Sequence, residues 1–299
     1  MRQFCVAGSR IGAVDRLFAV PPKAAVSAVQ QLPARGVALL VLMLVLLVAP
    51  HLKAQTSVTY PLGPVPTPCY LCVYTPQMAF DGTNIWITHS RGVEKVMASS
   101  GAVVGSYACN CGAEGLGGSV GMAFDGNNIW ASYGDTVTKL LASTGAVLGT
   151  YPTGYTSMGV AFDGTNIWVT NYGGNTVTKL LASTGATVGT YPAGLSPAGI
   201  VFDGNNIWVA SYGHNTVTKL LASTGAVVGT YLVGTNLIFG IAFDGTNIWV
   251  ASNLPPSNDN FGGAVTKLLA STGAIVGTDP TVFPPTGITF DGKKIWVDT

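Results

Sequence analysis

The sequence predicts an all-β fold, and within that class a six-bladed β-propeller, from three observations. The string Phe-Asp-Gly-x-x-Ile-Trp occurs six times and contains all six tryptophans of the 299-residue chain. Successive tryptophans are 38 to 47 residues apart, and apolar residues inside each unit alternate with period two, as in β-strands. Four short strands repeated at this period are typical of propeller blades. The six repeats begin near residues 77, 121, 159, 199, 240 and 287.

The unit at residues 158–194 shows how one blade is assembled. Asp163-Gly164 is a strong hairpin signal, and the segments on either side of it are rich in β-forming residues. A single four-stranded sheet cannot bury both of its faces, so we expect neighbouring units to pack against it. The four predicted antiparallel strands of this unit cover residues 160–162, 166–171, 176–181 and 187–191.

The first 54 residues differ from the repeats and predict a signal peptide or an N-terminal membrane anchor. They contain six basic residues and one acidic residue, followed by 13 apolar residues at positions 37–49. That run is short for a membrane span and suits the apolar region of a signal peptide. The mature domain is therefore expected to span residues 55–299 and to be secreted, periplasmic or at the cell surface.

Removing this leader changes the charge balance. Of the 14 basic and 13 acidic residues, eight basic and twelve acidic residues remain, which gives a net charge of −4. A basic nucleic-acid-binding surface is therefore excluded as the main function. Contact with a membrane is expected only through an uncleaved N-terminal segment.

Closure of the ring is expected to use both ends of the mature chain. Residues 59–63, Thr-Tyr-Pro-Leu-Gly, match the fourth-strand ending Thr-Tyr-Pro-Thr-Gly at residues 150–154, so an N-terminal strand is predicted to join the last blade. Such closure hides sheet edges that would otherwise promote aggregation. Because the chain stops soon after the second strand of the sixth repeat, the last blade is incomplete unless residues 70–75 supply its third strand.

Four cysteines remain after the leader, in segments that enter the first and second blades. Cys-x-x-Cys followed by Cys-x-Cys could ligate zinc. In an exported protein, disulfides are favoured over a zinc site, and the spacing alone does not assign the pairs. The disulfide candidates are Cys69, Cys72, Cys109 and Cys111.

The loops of the two propeller faces differ in how much they vary between repeats. On one face, the Asp-Gly and Ser-Thr-Gly turns are nearly uniform, so we call this the framework face. On the other, the second-to-third turns and fourth-to-first connections vary strongly in length and composition; this is the variable loop face. Uniform turns on one face and individual loops on the other indicate a binding face, with neutral drift of exposed loops as the alternative.

Candidate ligand-binding residues lie in those variable loops. His89 and His214 occupy equivalent loops of repeats expected to be opposite in the ring. With acidic residues nearby, they would have the donors of a weak metal or acid/base site; the alternative is a solvated loop position for each. No catalytic residue, metal ligand or cofactor is assigned. The candidates are His89, Arg91, Asp135, Asn171, His214, Asn253 and Asp259.

Residues shared by all repeats are interpreted as framework. The repeated Trp and Phe are expected to pack between blades, and the Asp of each Asp-Gly is expected to serve the turn. The repeated lysines are expected to be solvated strand positions. A Gly-x-Ser-x-Gly match at residues 117–121 lacks the strand-turn-helix context of a nucleophile.

Residues 167–177, Ile-Trp-Val-Thr-Asn-Tyr-Gly-Gly-Asn-Thr-Val, followed by a Thr-Gly turn and Tyr-Pro-x-Gly, resemble the repeat of YVTN/NHL-type β-propellers. They are also similar to streptogramin (virginiamycin B) lyase-like and SMP-30/gluconolactonase-like propellers, and the resemblance covers about residues 57–299. The lyase relatives are metal-dependent enzymes that use histidine and glutamate on later blades. This chain has no histidine after His214 and no glutamate after Glu114, so that machinery does not carry over. The lactonase relatives hold a divalent metal, for which Asn171, Asn253 and Asp135 are the nearest counterparts.

These observations lead to one expected function, one enzyme alternative and one structural alternative, which is a passive extracellular repeat protein. The expected function is an exported binding or scaffold module that holds a protein, peptide or small-molecule ligand on the variable loop face. The enzyme alternative, implied by the resemblance, is a metal-dependent lyase or lactonase-like enzyme with Ca²⁺ or Mg²⁺ in the central channel.

Overall fold

The structure, a computed structural model, describes residues 11–13, 77–89, 92–107, 121–212, 214–234, 237–253 and 262–298. Within these ranges the chain forms five four-stranded antiparallel sheets and one three-stranded antiparallel sheet. In every four-stranded sheet the strands lie side by side in chain order, so each connection within a sheet is a hairpin. The prediction of an all-β fold with repeated four-stranded antiparallel sheets is confirmed.

Each four-stranded sheet corresponds to one sequence repeat. The first contains β2 (Met78–Phe80), β3 (Asn84–His89), β4 (Gly92–Met97) and β5 (Val103–Tyr107), and the second contains β6 (Met122–Phe124), β7 (Asn128–Tyr133), β8 (Thr136–Leu141) and β9 (Val147–Pro152). The third contains β10 (Ser157–Phe162), β11 (Asn166–Asn171), β12 (Thr176–Leu181) and β13 (Thr187–Pro192), and the fourth contains β14 (Pro197–Phe202), β15 (Asn206–Ser211), β16 (Thr216–Leu221) and β17 (Val227–Leu232). The fifth contains β18 (Ile238–Phe243), β19 (Asn247–Asn253), β20 (Gly263–Leu269) and β21 (Ile275–Thr281).

The last sheet has three strands, in the order β1 (Ile11–Ala13), β23 (Ile295–Asp298) and β22 (Gly287–Phe290). β1 pairs antiparallel with β23 and belongs to the segment that the sequence predicts as a leader. The segments predicted to complete this sheet, residues 59–63 and 70–75, lie outside the described residues, as does the apolar run at 37–49. Within the described ranges, no helix has the length and apolarity needed to cross a membrane.

The third sheet tests the strand predictions most directly. β11 and β12 have the predicted bounds, whereas β10 begins at Ser157 and β13 extends to Pro192. The pairing of β10 with β11 shifts register between Ser157 and Val160. That irregularity interrupts the alternation of side chains, which explains why the sequence pattern located only the end of β10.

The Asp-Gly turn is fixed by its own carboxylate. Asp163 Oδ1 accepts hydrogen bonds from the backbone amides of Thr165 and Asn166, at 2.9 and 2.6 Å, and Gly164 has a φ of 94° that favours glycine. Asp163 Oδ2 accepts a 2.7 Å hydrogen bond from Trp168 Nε1. The Asp and Trp of each repeat are therefore one hydrogen-bonded unit, which the sequence pattern did not reveal.

Four of the five repeated lysines are buried and Lys267 is half-buried, so the expectation that they are solvated is wrong for these four. Lys179 is 5% exposed, and its Nζ lies 5.0 Å from the centroid of the fully buried Trp168 ring. Nζ also donates a 2.7 Å hydrogen bond to the carbonyl oxygen of Ala222 in the fourth sheet. The aliphatic part of the side chain packs between the two sheets. Its ammonium group contacts the face of the Trp168 ring and the carbonyl oxygen of Ala222. The same contacts recur at Lys95, Lys139 and Lys219.

Tyrosines of the outer strands join neighbouring sheets. The ring of Tyr191 lies 5.7 Å from that of Trp168, an aromatic contact of about 0.5–1.5 kcal/mol beyond burial. A Cβ atom at Gly225, in the next Ser-Thr-Gly turn, would lie 2.2 Å from this tyrosine ring. Glycine is therefore required there by close approach as well as by its φ of 76°.

The core lies between consecutive sheets. Trp168 and Val177 of the third sheet pack with Ile207, Val209 and Leu220 of the fourth, and equivalent clusters join the second to the third sheet and the fourth to the fifth. The expected packing of the tryptophans between repeats is confirmed. Each sheet thus covers the face that its neighbour could not bury alone.

Candidate functional site

Hydrogen bonds place the connections on two opposite faces, as the sequence predicts. The Ala182 amide, beside the Ser-Thr-Gly turn, donates a 3.0 Å hydrogen bond to Thr165 O in the Asp-Gly turn, which brings both turns together on the framework face. On the variable loop face, the Thr153 amide donates a 2.9 Å hydrogen bond to Asp135 O. This bond joins a second-to-third turn to the following fourth-to-first connection.

Asp135 stabilises a connection on the variable loop face. Its Oδ1 accepts a 2.8 Å hydrogen bond from the Thr156 amide, and Asn175 Oδ1 accepts the same bond from the Ser196 amide one sheet later. Thr156 and Ser196 have φ values of 58° and 49°, which few non-glycine residues adopt. The side-chain oxygen therefore holds a strained connection in place.

Asn171 is buried and its amide group is fully used. Its Nδ2 donates 2.9 Å hydrogen bonds to Thr176 Oγ1 and Thr178 Oγ1, and its Oδ1 accepts one from the Gly154 amide. In this structure the residue supports the loop face from beneath, and it presents no exposed surface to a ligand.

The other predicted site residues are only partly described. His214 is exposed in the turn between β15 and β16, and the half-buried Asn253 ends β19. His89 ends β3, but its side chain lies outside the described residues, so the prediction that it faces His214 stays a prediction. Arg91, Asp259 and the four disulfide candidates Cys69, Cys72, Cys109 and Cys111 also lie outside the described residues.

The described ranges contain no group of three or more His, Cys, Asp or Glu side chains that could hold a metal ion. The carboxylates that do recur belong to the framework face. Burial raises the pKa of the Asp81 carboxyl, but hydrogen bonds from Trp86 Nε1 and from the Asn84 and Thr83 amides outweigh it and lower the pKa to about 2. A carboxylate whose pKa is lowered by these hydrogen bonds is a poor proton acceptor near neutral pH.

Polar clefts also recur on the framework face, between consecutive sheets. One, with a volume of about 220 Å³, is lined by Asp81, Asn84 and Lys95 of the first sheet and by Asn127 and Ser143 of the second. An equivalent cleft separates the third and fourth sheets. Because the same residue types line both clefts, they follow from the repeat itself and not from a special position in the chain.

Apolar side chains exposed on the variable loop face were missed by the sequence analysis. Tyr155 is 62% exposed and Leu195, its counterpart in the next connection, is 49% exposed. The ring of Tyr155 packs against Gly173, where a Cβ atom would lie 2.3 Å from it. Beside it, the rings of Tyr172 and Tyr212 lie 6.0 Å apart across two sheets. The available signal was that these connections carry a tyrosine or leucine where loops are usually polar.

This surface carries few charged residues; one of them, the exposed Asp135, accepts the hydrogen bond from the Thr156 amide. Among the described residues of the two connections at 153–157 and 193–196 and of the turns at 172–175 and 212–215, none is acidic or basic apart from His214. Tyrosine and leucine at the surface, surrounded by Thr, Ser and Asn, have the composition of protein interfaces and of antibody binding loops.

Solved structures with similar architecture were found. Kuenenia stuttgartiensis hydrazine synthase matches with a TM-score of 0.65 at 17% identity, over 77% of this chain and 76% of that one. The Neurospora crassa Pan2 WD40 domain matches with a TM-score of 0.61 at 12% identity, over 72% of this chain and 68% of that one. At these identities the similarity shows the β-propeller-like fold alone. No known protein family and no curated protein matches this sequence.

Proposed function

We propose that this protein is a β-propeller binding module that holds a protein or peptide on its variable loop face. The supporting observation is the surface formed by the exposed Tyr155 and Leu195 and the half-buried Tyr172 and Tyr212, whose own loops contain no charged residue apart from His214. Single exposed apolar residues need no explanation, but a cluster of aromatic side chains in the variable loops indicates an interaction site. Tyrosine also supplies a large contact area at a low cost in side-chain entropy.

The proposal includes an architecture of six blades in a closed ring. Six sequence repeats, five of which form four-stranded sheets while the last contributes the paired strands β22 and β23, support it. Export through residues 1–54 is part of the same proposal and rests on their charge and apolar pattern.

Selection from a random peptide library on the immobilised full-length protein tests the proposal. We expect enriched peptides whose affinity falls at least tenfold for Tyr155→Ala and for Leu195→Ser. The matched control is Val188→Ser, because Val188 is 52% exposed on an outer strand away from these loops. Peptides whose binding depends on Val188 and is unaffected by the two loop variants would contradict the proposal.

The enzyme alternative makes a different prediction. A lyase or lactonase-like protein should retain stoichiometric Ca²⁺ or Mg²⁺ after purification in buffer without added metal. Metal analysis of the purified protein separates the two functions, since the binding module requires no metal for peptide affinity.

A further inference from the structure

Two buried hydroxyl groups of the fourth sheet lack partners among the described residues. Ser211, at the end of β15, is fully buried, and Thr218 in β16 is 2% exposed. Neither Ser211 Oγ nor Thr218 Oγ1 makes a hydrogen bond within the part of the chain that the structure describes. Buried polar groups without partners are costly, so each calls for a physical account.

The third sheet shows which side chain fills the position equivalent to Ser211. There the residue equivalent to Ser211 is Asn171, whose Nδ2 lies 2.9 Å from both Thr176 Oγ1 and Thr178 Oγ1. The pairing register is the same in both sheets, with Asn171 opposite Thr176 and Ser211 opposite Thr216. The two threonine positions are therefore retained in the fourth sheet, while the side chain between them is shorter by an amide group.

Gly194 lies against the same space. A Cβ atom at Gly194 would lie 2.6 Å from Ser211 Oγ and 3.2 Å from Thr218 Oγ1. Its counterpart Gly154 donates its amide hydrogen to Asn171 Oδ1 at 2.9 Å. In the fourth sheet, Gly194, which has a φ of 85°, and the hydroxyl groups of Ser211 and Thr218 bound the corresponding space.

We infer that the fourth sheet binds one internal water molecule where the third sheet has the Asn171 amide nitrogen. The hydroxyl groups of Ser211, Thr216 and Thr218 are its protein partners, and three hydrogen bonds are typical of a buried water. Leu195 and Tyr212 of the loop face directly follow Gly194 and Ser211 in the chain. The loops of the fourth sheet are therefore supported through water, and those of the third by a direct side-chain bond.

Three substitutions test the site by thermal unfolding of the full-length protein. Ser211→Asn supplies the amide group of the third sheet and is expected to raise the unfolding midpoint by about 2–4 °C. Ser211→Val removes one hydroxyl partner and places a methyl group where the water binds, so the midpoint is expected to fall. Asn171→Ser, the matched control, creates the same arrangement in the third sheet and should lower the midpoint while adding a water there.

A high-resolution crystal structure gives the direct observation. We expect density for a water within hydrogen-bond distance of Ser211 Oγ and Thr218 Oγ1, and its loss in Ser211→Asn. A space without density, an unchanged or raised midpoint for Ser211→Val, or a lowered midpoint for Ser211→Asn would each overturn the inference. None of these outcomes depends on what the loop face binds.

Discussion

Replacement of Asp163 by asparagine tests the hydrogen-bonded unit of carboxylate and indole that recurs in every repeat. The carboxylate accepts bonds from two backbone amides at one oxygen and from Trp168 Nε1 at the other. Asn166 Nδ2 donates longer bonds, of 3.2 and 3.0 Å, to the two oxygens, and the last repeat, with Lys294 at this position, has no such side-chain amide. Asparagine keeps the size of the side chain but replaces one acceptor with a donor. Because the two amides retain the remaining carbonyl oxygen, the NH₂ group would face the indole N–H, and the Trp168 donor would lose its partner.

The expected cost follows from the burial of Trp168. A hydrogen bond to a charged group is worth about 1.5–3 kcal/mol, and leaving its buried donor unpaired falls in the same range. In a chain of this size, 1 kcal/mol shifts the unfolding midpoint by roughly 2–4 °C. We therefore expect Asp163→Asn to lower the midpoint by about 3–12 °C, measured by calorimetry or circular dichroism.

The last repeat contains the matched control. Asp291 makes the same bonds to two backbone amides and to Trp296 Nε1, but this carboxylate and its bonds are exposed to water. Water can replace the lost acceptor there, so Asp291→Asn should shift the midpoint much less. Equal shifts of the unfolding midpoint for the two variants would refute the reasoning, because the loss of stability would then not depend on the burial of the indole. Trp168→Phe, combined with Asp163→Asn in a double-mutant cycle, isolates the coupling between the two groups.

Three further predictions concern packing, pH and export. Gly159→Ala should destabilise the protein strongly, since a Cβ atom there would lie 2.3 Å from the carbonyl oxygen of Ala198 in the next sheet. Gly277→Ala is the control, because no atom lies within 4 Å of a Cβ at that position. Urea unfolding of both variants measures the difference in stability. The pKa of Asp81 is about 2 in the folded chain against an ordinary value of 3.8, so its stabilising contribution is complete above about pH 5 and is lost progressively as the pH falls through 3.8 toward 2. Acid titration of stability should therefore show a decline in that window, and stability constant from pH 5 to pH 2 would contradict it. Residues 1–54 fused to a leaderless reporter enzyme should direct its export, which a reporter retained in the cytoplasm would disprove.

The strands could be predicted because the sequence repeats them. Six copies of Phe-Asp-Gly-x-x-Ile-Trp and a period-two pattern located β11 and β12 to the residue. The start of β10 was missed because its pairing with β11 shifts register, and a local irregularity leaves no trace in the alternation of apolar residues.

The candidate site was predicted less well, because its residues act through contacts between different repeats. Asp135 and Asn171 were selected as polar loop and strand-end residues, yet their oxygens hold connections about 20 positions away in sequence. Tyr155 and Leu195 were not selected, because one tyrosine or leucine in a loop carries no pattern. Their exposure, and the 6.0 Å approach of Tyr172 to Tyr212, depend on how two sheets are placed.

The all-β class, the repeat, the turns and the division into a uniform and a variable face follow from the sequence, because they depend on short-range spacing and turn chemistry. The tertiary structure decided which polar groups are buried. Lys179 is predicted to be solvated by its residue type, but the next sheet covers it and offers a carbonyl oxygen to its ammonium group. Likewise Asn171 and Ser211 hold the same position in their repeats, and only the packing around them shows that the Asn171 amide group has partners whereas Ser211 Oγ has none among the described residues.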